Sequence, residues 1–203
     1  MRAAVVIVAS SVASIAVAAS PSFDCGKAAT AVERLVCGDE PLAALDVELA
    51  RLCRLASTGE RASALRASQA TWREERNACS TAADLRGCAV RSYVQRIYRV
   101  RKEFAAARSD DEKGASHGPF SIRCDGFAPV LGVGYAGTDP SWAWAEWSGK
   151  GHLLTQAPSG SGAKYEGPAD GGTVSIWTKG MSAVLVELPG GKSFTGCKVS
   201  GPR

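Results

Sequence analysis

The sequence predicts a two-part chain: a small all-α helical hairpin or bundle, followed by an all-β antiparallel barrel of about eight strands. Three observations lead there. Up to about residue 106 the apolar residues recur at a three/four spacing, which puts one buried stripe on each helix. From residue 119 onward they alternate in short runs separated by Gly-rich turns, the pattern of an antiparallel sheet. The seven cysteines divide at the same place, five before the change of period and two near the ends of the second part. The composition, 45% hydrophobic and 22% charged over 203 residues, excludes a mostly disordered chain.

The first 20 residues stand apart. Arg2 is followed by an uncharged apolar run that ends in small residues, which reads as a secretory signal peptide. Cleavage is expected after Ala18, with Ala19 and Ser20 as alternatives, and the competing reading is a membrane anchor. No Leu-x-small-Cys pattern precedes Cys25, so no lipid anchor is expected there. The mature chain is therefore expected to be periplasmic or secreted, where disulfides persist. No Cys-x-x-Cys occurs, and His117 and His152 are far from any Cys, so no metal site is expected.

The helical part is assigned to residues 21–106. Thr30 and Glu33 form a capping box that opens a short helix to about Cys37. Asp39-Glu40-Pro41 starts a second helix, with Leu42, Leu45, Leu49, Leu52 and Ala56 as its stripe. Residues 60–78 form a third, with Leu65, Gln69, Trp72 and Arg76 on one side. A cap at Thr81–Asp84 opens the fourth, striped by Val90, Tyr93, Val94, Ile97, Val100 and Phe104. Cys79 and Cys88 flank a turn and are placed for a local bridge. Cys25 and Cys37 either pair with each other or cross to Cys79 and Cys88. Cys53 falls beside the apolar stripe and is expected as a buried free thiol.

Residues 107–118 are small, charged and Gly-containing, and are expected to be a flexible linker. The β part is assigned to residues 119–203. Cys124 lies near its start and Cys197 near its end. A bridge between them would tie the first strand to the last, contributing on the order of 4 kcal/mol at most. Trp142 and Trp144 share a face, and packing is the expected role for them and for Trp147, ahead of sugar stacking. Trp177 is expected in the core.

Charge is uneven. Residues 21–108 carry 15 basic and 11 acidic residues, and 109–203 carry 8 and 9. The fourth helix concentrates Arg86, Arg91, Arg96, Arg99, Arg101 and Lys102, which reads first as a solvated face with acidic neighbours and alternatively as one that would suit anionic lipid or envelope polymer. Enzyme readings fail on the residues. Gly160-Ser161-Gly162 is not a nucleophile elbow, the two histidines have no triad context, and no phosphate-binding Gly loop occurs. No cofactor and no nucleic-acid partner are expected, and the oligomeric state stays open.

Two resemblances bear on function. The run FDCGKAATAVERLVCGDEPLAALDVELARL, then Gln69, Trp72, Arg76, Asn77 and Cys79, and finally Cys88, resembles the LprI-like family of envelope proteins over about residues 23–104. One branch of that family is described as inhibiting lysozyme. The β part resembles the MliC/PliC family of inhibitors of C-type lysozyme. The resemblance is carried by Phe120–Asp125, Ser161–Glu166, Trp177–Gly180 and Gly191–Cys197. It implies an eight-stranded barrel that inserts a loop and a strand end into the lysozyme cleft. By carry-over Ser161 is the loop hydroxyl and Lys179 the strand-end ammonium. Gly162, Lys164, Tyr165 and Thr178 complete the expected lysozyme-binding set, with barrel core as the equal alternative for Tyr165. Lys164 stands where Arg is usual, Met181-Ser182 follows the strand end, and Gly167–Asp170 reads as an insertion between the two motifs.

Overall fold

A computed structural model describes residues 20–58, 60–108, 114–180 and 182–201. The expected signal segment, apart from Ser20, lies outside the described residues, as do 109–113 of the expected linker and Met181. The described helices are α1 (Ala31–Gly38), α2 (Glu40–Ala56), α3 (Ala62–Asn77) and α4 (Leu85–Glu103). Their starts follow local chemistry. Thr30 Oγ1 accepts from Glu33 N while the Glu33 carboxylate accepts from Thr30 N, a complete capping box on α1. Asp39 caps α2 ahead of Pro41, and Asp84 caps α4.

The strands are β1 (Ser116–Cys124), β2 (Phe127–Ala136), β3 (Trp142–Trp147), β4 (Lys150–Ala157), β5 (Ala163–Ala169), β6 (Gly172–Lys179), β7 (Ser182–Leu188), β8 (Lys192–Phe194) and β9 (Lys198–Ser200). All pairings are antiparallel. They run in chain order from β1 to β7, and β9 joins β7 to β1, so the circuit closes. β8 and β9 are two pieces of one final segment, both on the side of β7 away from β6. That split gives nine strands where the sequence suggests about eight. The disulfides are Cys25–Cys37, Cys79–Cys88 and Cys124–Cys197, which resolves the alternatives left open for the first four cysteines. Cys53 carries the one free thiol. It is half-buried rather than buried, and burial pushes its pKa up.

The two parts meet along α4. Leu131, Val133, Ala143, Ala145, Leu154, Val174 and Ile176 fill the barrel. The alternate positions on β2 and β3 point outward, and Ala136, Trp142 and Trp144 join the helical core with Tyr93, Ile97 and Tyr98. Close approach here requires glycine: a Cβ on Gly132 would sit 2.4 Å from Tyr98 Oη, and one on Gly134 2.8 Å from Tyr98 Cδ2. Trp142 and Trp144 are thus 3% and 2% exposed and serve packing. Trp147, half-buried, stacks on His152 at 4.3 Å.

Buried charge reinforces the seam. Glu48 of α2 is 3% exposed. It takes two hydrogen bonds from Arg51, both 2.8 Å, and others from Ala115 N and Ser116 Oγ. Burial pushes its carboxyl up, but the donors of Arg51 and Ser116 outweigh that and hold it below the usual range. Arg101 of α4, 1% exposed, donates to Gly118 O at 2.7 Å. The segment assigned to a linker therefore differs at both ends from a free tether. Ala107 is buried in a 3-10 turn, and Ser116–Gly118 begin β1 under the side chains of Glu48 and Arg101. Small residues that read as flexible in the sequence are there because the helices lie close.

Candidate functional site

The β5–β6 hairpin decides where the expected site residues fall. Its register runs from Ala169↔Gly172 at the tight end to Ala163↔Thr178 at the open end. The residues just before β5 and just after Thr178 are consequently neighbours. Gly162, at φ +70°, presses on β6: a Cβ there would lie 2.3 Å from Thr178 O and 3.4 Å from Lys179 Cα. The loop carrying Ser161 is held against the strand end carrying Lys179 by backbone contact, which no other residue type would permit.

Two hydrogen bonds fix the loop. Trp177 Nε1 donates to Ser161 O at 2.7 Å, and Ser159 Oγ donates to Gly162 O at 3.0 Å. This corrects the expectation for Trp177. Ile176 points into the barrel, so period two turns Trp177 outward, where it is half-buried against the loop. With its carbonyl engaged, Ser161 keeps an exposed hydroxyl that has no partner among the described residues. Lys179 is exposed too, and its ammonium has no ion pair among them. A hydroxyl on the loop and a cation on the adjoining strand end are the groups needed to address one neutral and one ionised carboxyl group.

The remaining expected residues separate into different roles. Lys164 pairs with Glu166 at 2.9 Å and is raised in pKa by that hydrogen bond and charge. It lies across the ladder from Trp177, on the outer face. Tyr165 points inward and is 6% exposed, its hydroxyl 3.0 Å from Ser141 Oγ and its ring 5.1 Å from that of Tyr135. Burial pushes the Tyr135 phenol up to about 12, so it stays protonated. These tyrosines line a cavity of about 290 Å³ whose walls include Ala163, Thr178 and Gly180. They support the site from within the barrel. Sequence reading missed Tyr135 and Ser141, because nothing local links them to Tyr165, 24 or more positions away.

The Gly167–Asp170 stretch lies at the far end of the hairpin. Pro168 pairs with Thr173, and Asp170 forms a 2.7 Å ion pair with Lys150. It lengthens the ladder away from Ser161 and Lys179 and leaves their adjacency intact.

The positive face expected on α4 is largely committed elsewhere. Arg96 (6% exposed) donates to Gln69 and Ser68, and Arg101 to Gly118. Arg86 pairs with Asp39, Lys102 with Glu146, and Arg91 lies 5.9 Å over the Trp144 ring. A helix that must pack against both its own bundle and a barrel turns its cations toward acceptors on either side.

Comparison with known proteins agrees with both parts. The family model described as "Membrane-bound lysozyme-inhibitor of c-type lysozyme" (MliC) matches residues 123–192, which include both the Ser161 loop and the Lys179 strand end. The chain is 35% identical over 150 residues to the proteins named "Lipoprotein LprI" of Mycobacterium tuberculosis and Mycobacterium bovis, covering 72% of each chain. No solved structure matches it significantly.

Proposed function

The chain belongs to the LprI family and carries an MliC-type domain, and on that footing we propose that it is an exported inhibitor of C-type lysozyme that shields peptidoglycan from host attack. The enzyme's cleft holds a protonated general acid and an ionised carboxylate across the scissile bond. Lys179 pairs with the ionised group, and Ser161 hydrogen-bonds the acid. Thr178 and Gly162 hold the two in register, and Lys164 meets the cleft rim. Tyr165 contributes from inside, by stiffening the barrel end. The observation that carries this reading is the contact of Gly162 with Thr178 O, which holds the backbone of the Ser161 loop against the strand end that carries Lys179.

Charge–charge contacts desolvated at an interface centre are worth up to several kcal/mol. Lys179→Ala and Ser161→Ala, made in the full-length protein, are each expected to weaken inhibition of bacterial-cell lysis by about tenfold or more, roughly 1.4 kcal/mol. Both variants change exposed side chains, so their melting temperatures should match the parent. Undiminished inhibition by both folded variants would remove the assignment. Localisation outside the cytoplasm belongs to the same proposal and follows from the leader-like first 20 residues and three disulfides.

A further inference from the structure

Between α2 and α3 lies a groove of about 520 Å³, walled at one side by Ser22 and Phe23. Its floor is apolar, built from Leu49, Leu65 and Trp72, at 2%, 3% and 7% exposure. Two carboxylates border it, and internal donors hold both. Asp46 accepts from Ser22 N at 2.7 Å and from Tyr93 Oη at 3.0 Å. Glu33 accepts from Ala29 N, Thr30 N and Arg76. Arg76, 4% exposed, also donates to Tyr93 and Asn77. Gln69 accepts from Arg96. The Gln69–Trp72–Arg76 motif therefore builds the wall of the groove and uses its own polar groups in doing so.

The rim differs. Arg54, Arg66 and Arg73 all line the groove, all are exposed, and none has an ion pair among the described residues. Three guanidinium groups border an apolar trough with no counter-charge of their own. We propose that this groove binds an anionic amphiphile, its apolar chain along Leu49, Leu65 and Trp72 and its carboxylate or phosphate head on Arg54, Arg66 and Arg73. Charge complementarity names the head, because guanidinium forks match either oxyanion bidentately. The apolar floor names the body, since a fully hydrated polyanion gains nothing from it. The volume is that of an ordinary small-molecule site, roughly 300–1,000 Å³. The groove shares no residue with the Ser161–Lys179 end, so the proposal stands apart from lysozyme inhibition.

Cys53 provides a reporter, being the one free thiol and a lining residue of the groove. The test uses the full-length protein with sodium dodecanoate and monododecyl phosphate below their micellar concentrations, and dodecyl maltoside as the neutral control of equal chain length. Calorimetric affinity and the rate of Cys53 alkylation by iodoacetamide are the readouts. At least one anionic probe is expected to bind about tenfold or more tighter than the maltoside and to slow alkylation several-fold. Preference for dodecanoate identifies a carboxylate head, and preference for the phosphate identifies a phosphate head. An Arg54→Gln, Arg66→Gln, Arg73→Gln triple variant should lose about tenfold in anion affinity while keeping its melting temperature and its lysozyme inhibition. If its melting temperature falls, the three single variants replace it, each expected to lose about threefold. Equal binding of anionic and neutral probes, parent-like binding by the arginine variants, or no binding up to the micellar concentration would each overturn the proposal.

Discussion

Gly162 shows how much of the site depends on one missing side chain. Its φ of +70° and the 2.3 Å approach that a Cβ would make to Thr178 O both exclude larger residues. Gly162→Ala should therefore push the Ser161 loop off β6. We expect a stability loss of about 1–3 kcal/mol together with inhibition weakened at least as far as in Ser161→Ala. Thermal melts and lysis assays on the same preparation test this; a variant that inhibits like the parent would show that the loop need not lie against the strand end. The motif itself was legible in the sequence, because SGxxY and WTKG are short and local. The side chains that support it were less so. Trp177 reads as core in an apolar strand, and only the alternation of β6 about Ile176 shows that it faces outward to the loop.

At the scale of elements, β5 and β6 place the site while α2 and α4 brace the barrel. The Gly167–Asp170 stretch, which reads as an insertion, separates the two motifs in sequence but not in space. In a hairpin, residues added at the tight end leave the open end unchanged. The brace at Glu48 has a pH signature. Its folded-state carboxyl lies below the ordinary value, so its contribution is fully present above about pH 4.3, the usual glutamate value, and is lost as pH falls through the lower folded-state pKa. Thermal stability of the parent should drop on acidification below that point. Glu48→Gln should start from a lower stability at neutral pH and show a shallower acid slope. Identical pH profiles for the two proteins would mean that the Glu48 charge contributes nothing to the seam.

For the whole molecule, helices and barrel behave as parts of one packed body. The change of hydrophobic period marks the passage from helices to strands, and the structure has both in that order. The shared surface was not legible, because outward-facing Trp142 and Trp144 look the same in sequence whether solvent or a helix covers them. Each tryptophan buries roughly 150–250 Å², worth on the order of 5 kcal/mol, so removing the helices leaves a large apolar face open. A fragment spanning residues 115–203 is expected to aggregate or to melt well below the full chain, by 10 °C or more, as read by light scattering and calorimetry. A monomeric fragment with parent-like melting would show that the seam contributes little.

The proposed mode of inhibition puts the barrel end in the lysozyme cleft. Steady-state kinetics of a C-type lysozyme on a soluble oligosaccharide, at rising concentrations of the full-length protein, tests it most directly. Competition for the cleft predicts a rising apparent KM at constant kcat, with the effect reduced about tenfold or more by Lys179→Ala. A falling kcat at constant KM would contradict it, since substrate and inhibitor would then occupy the enzyme together.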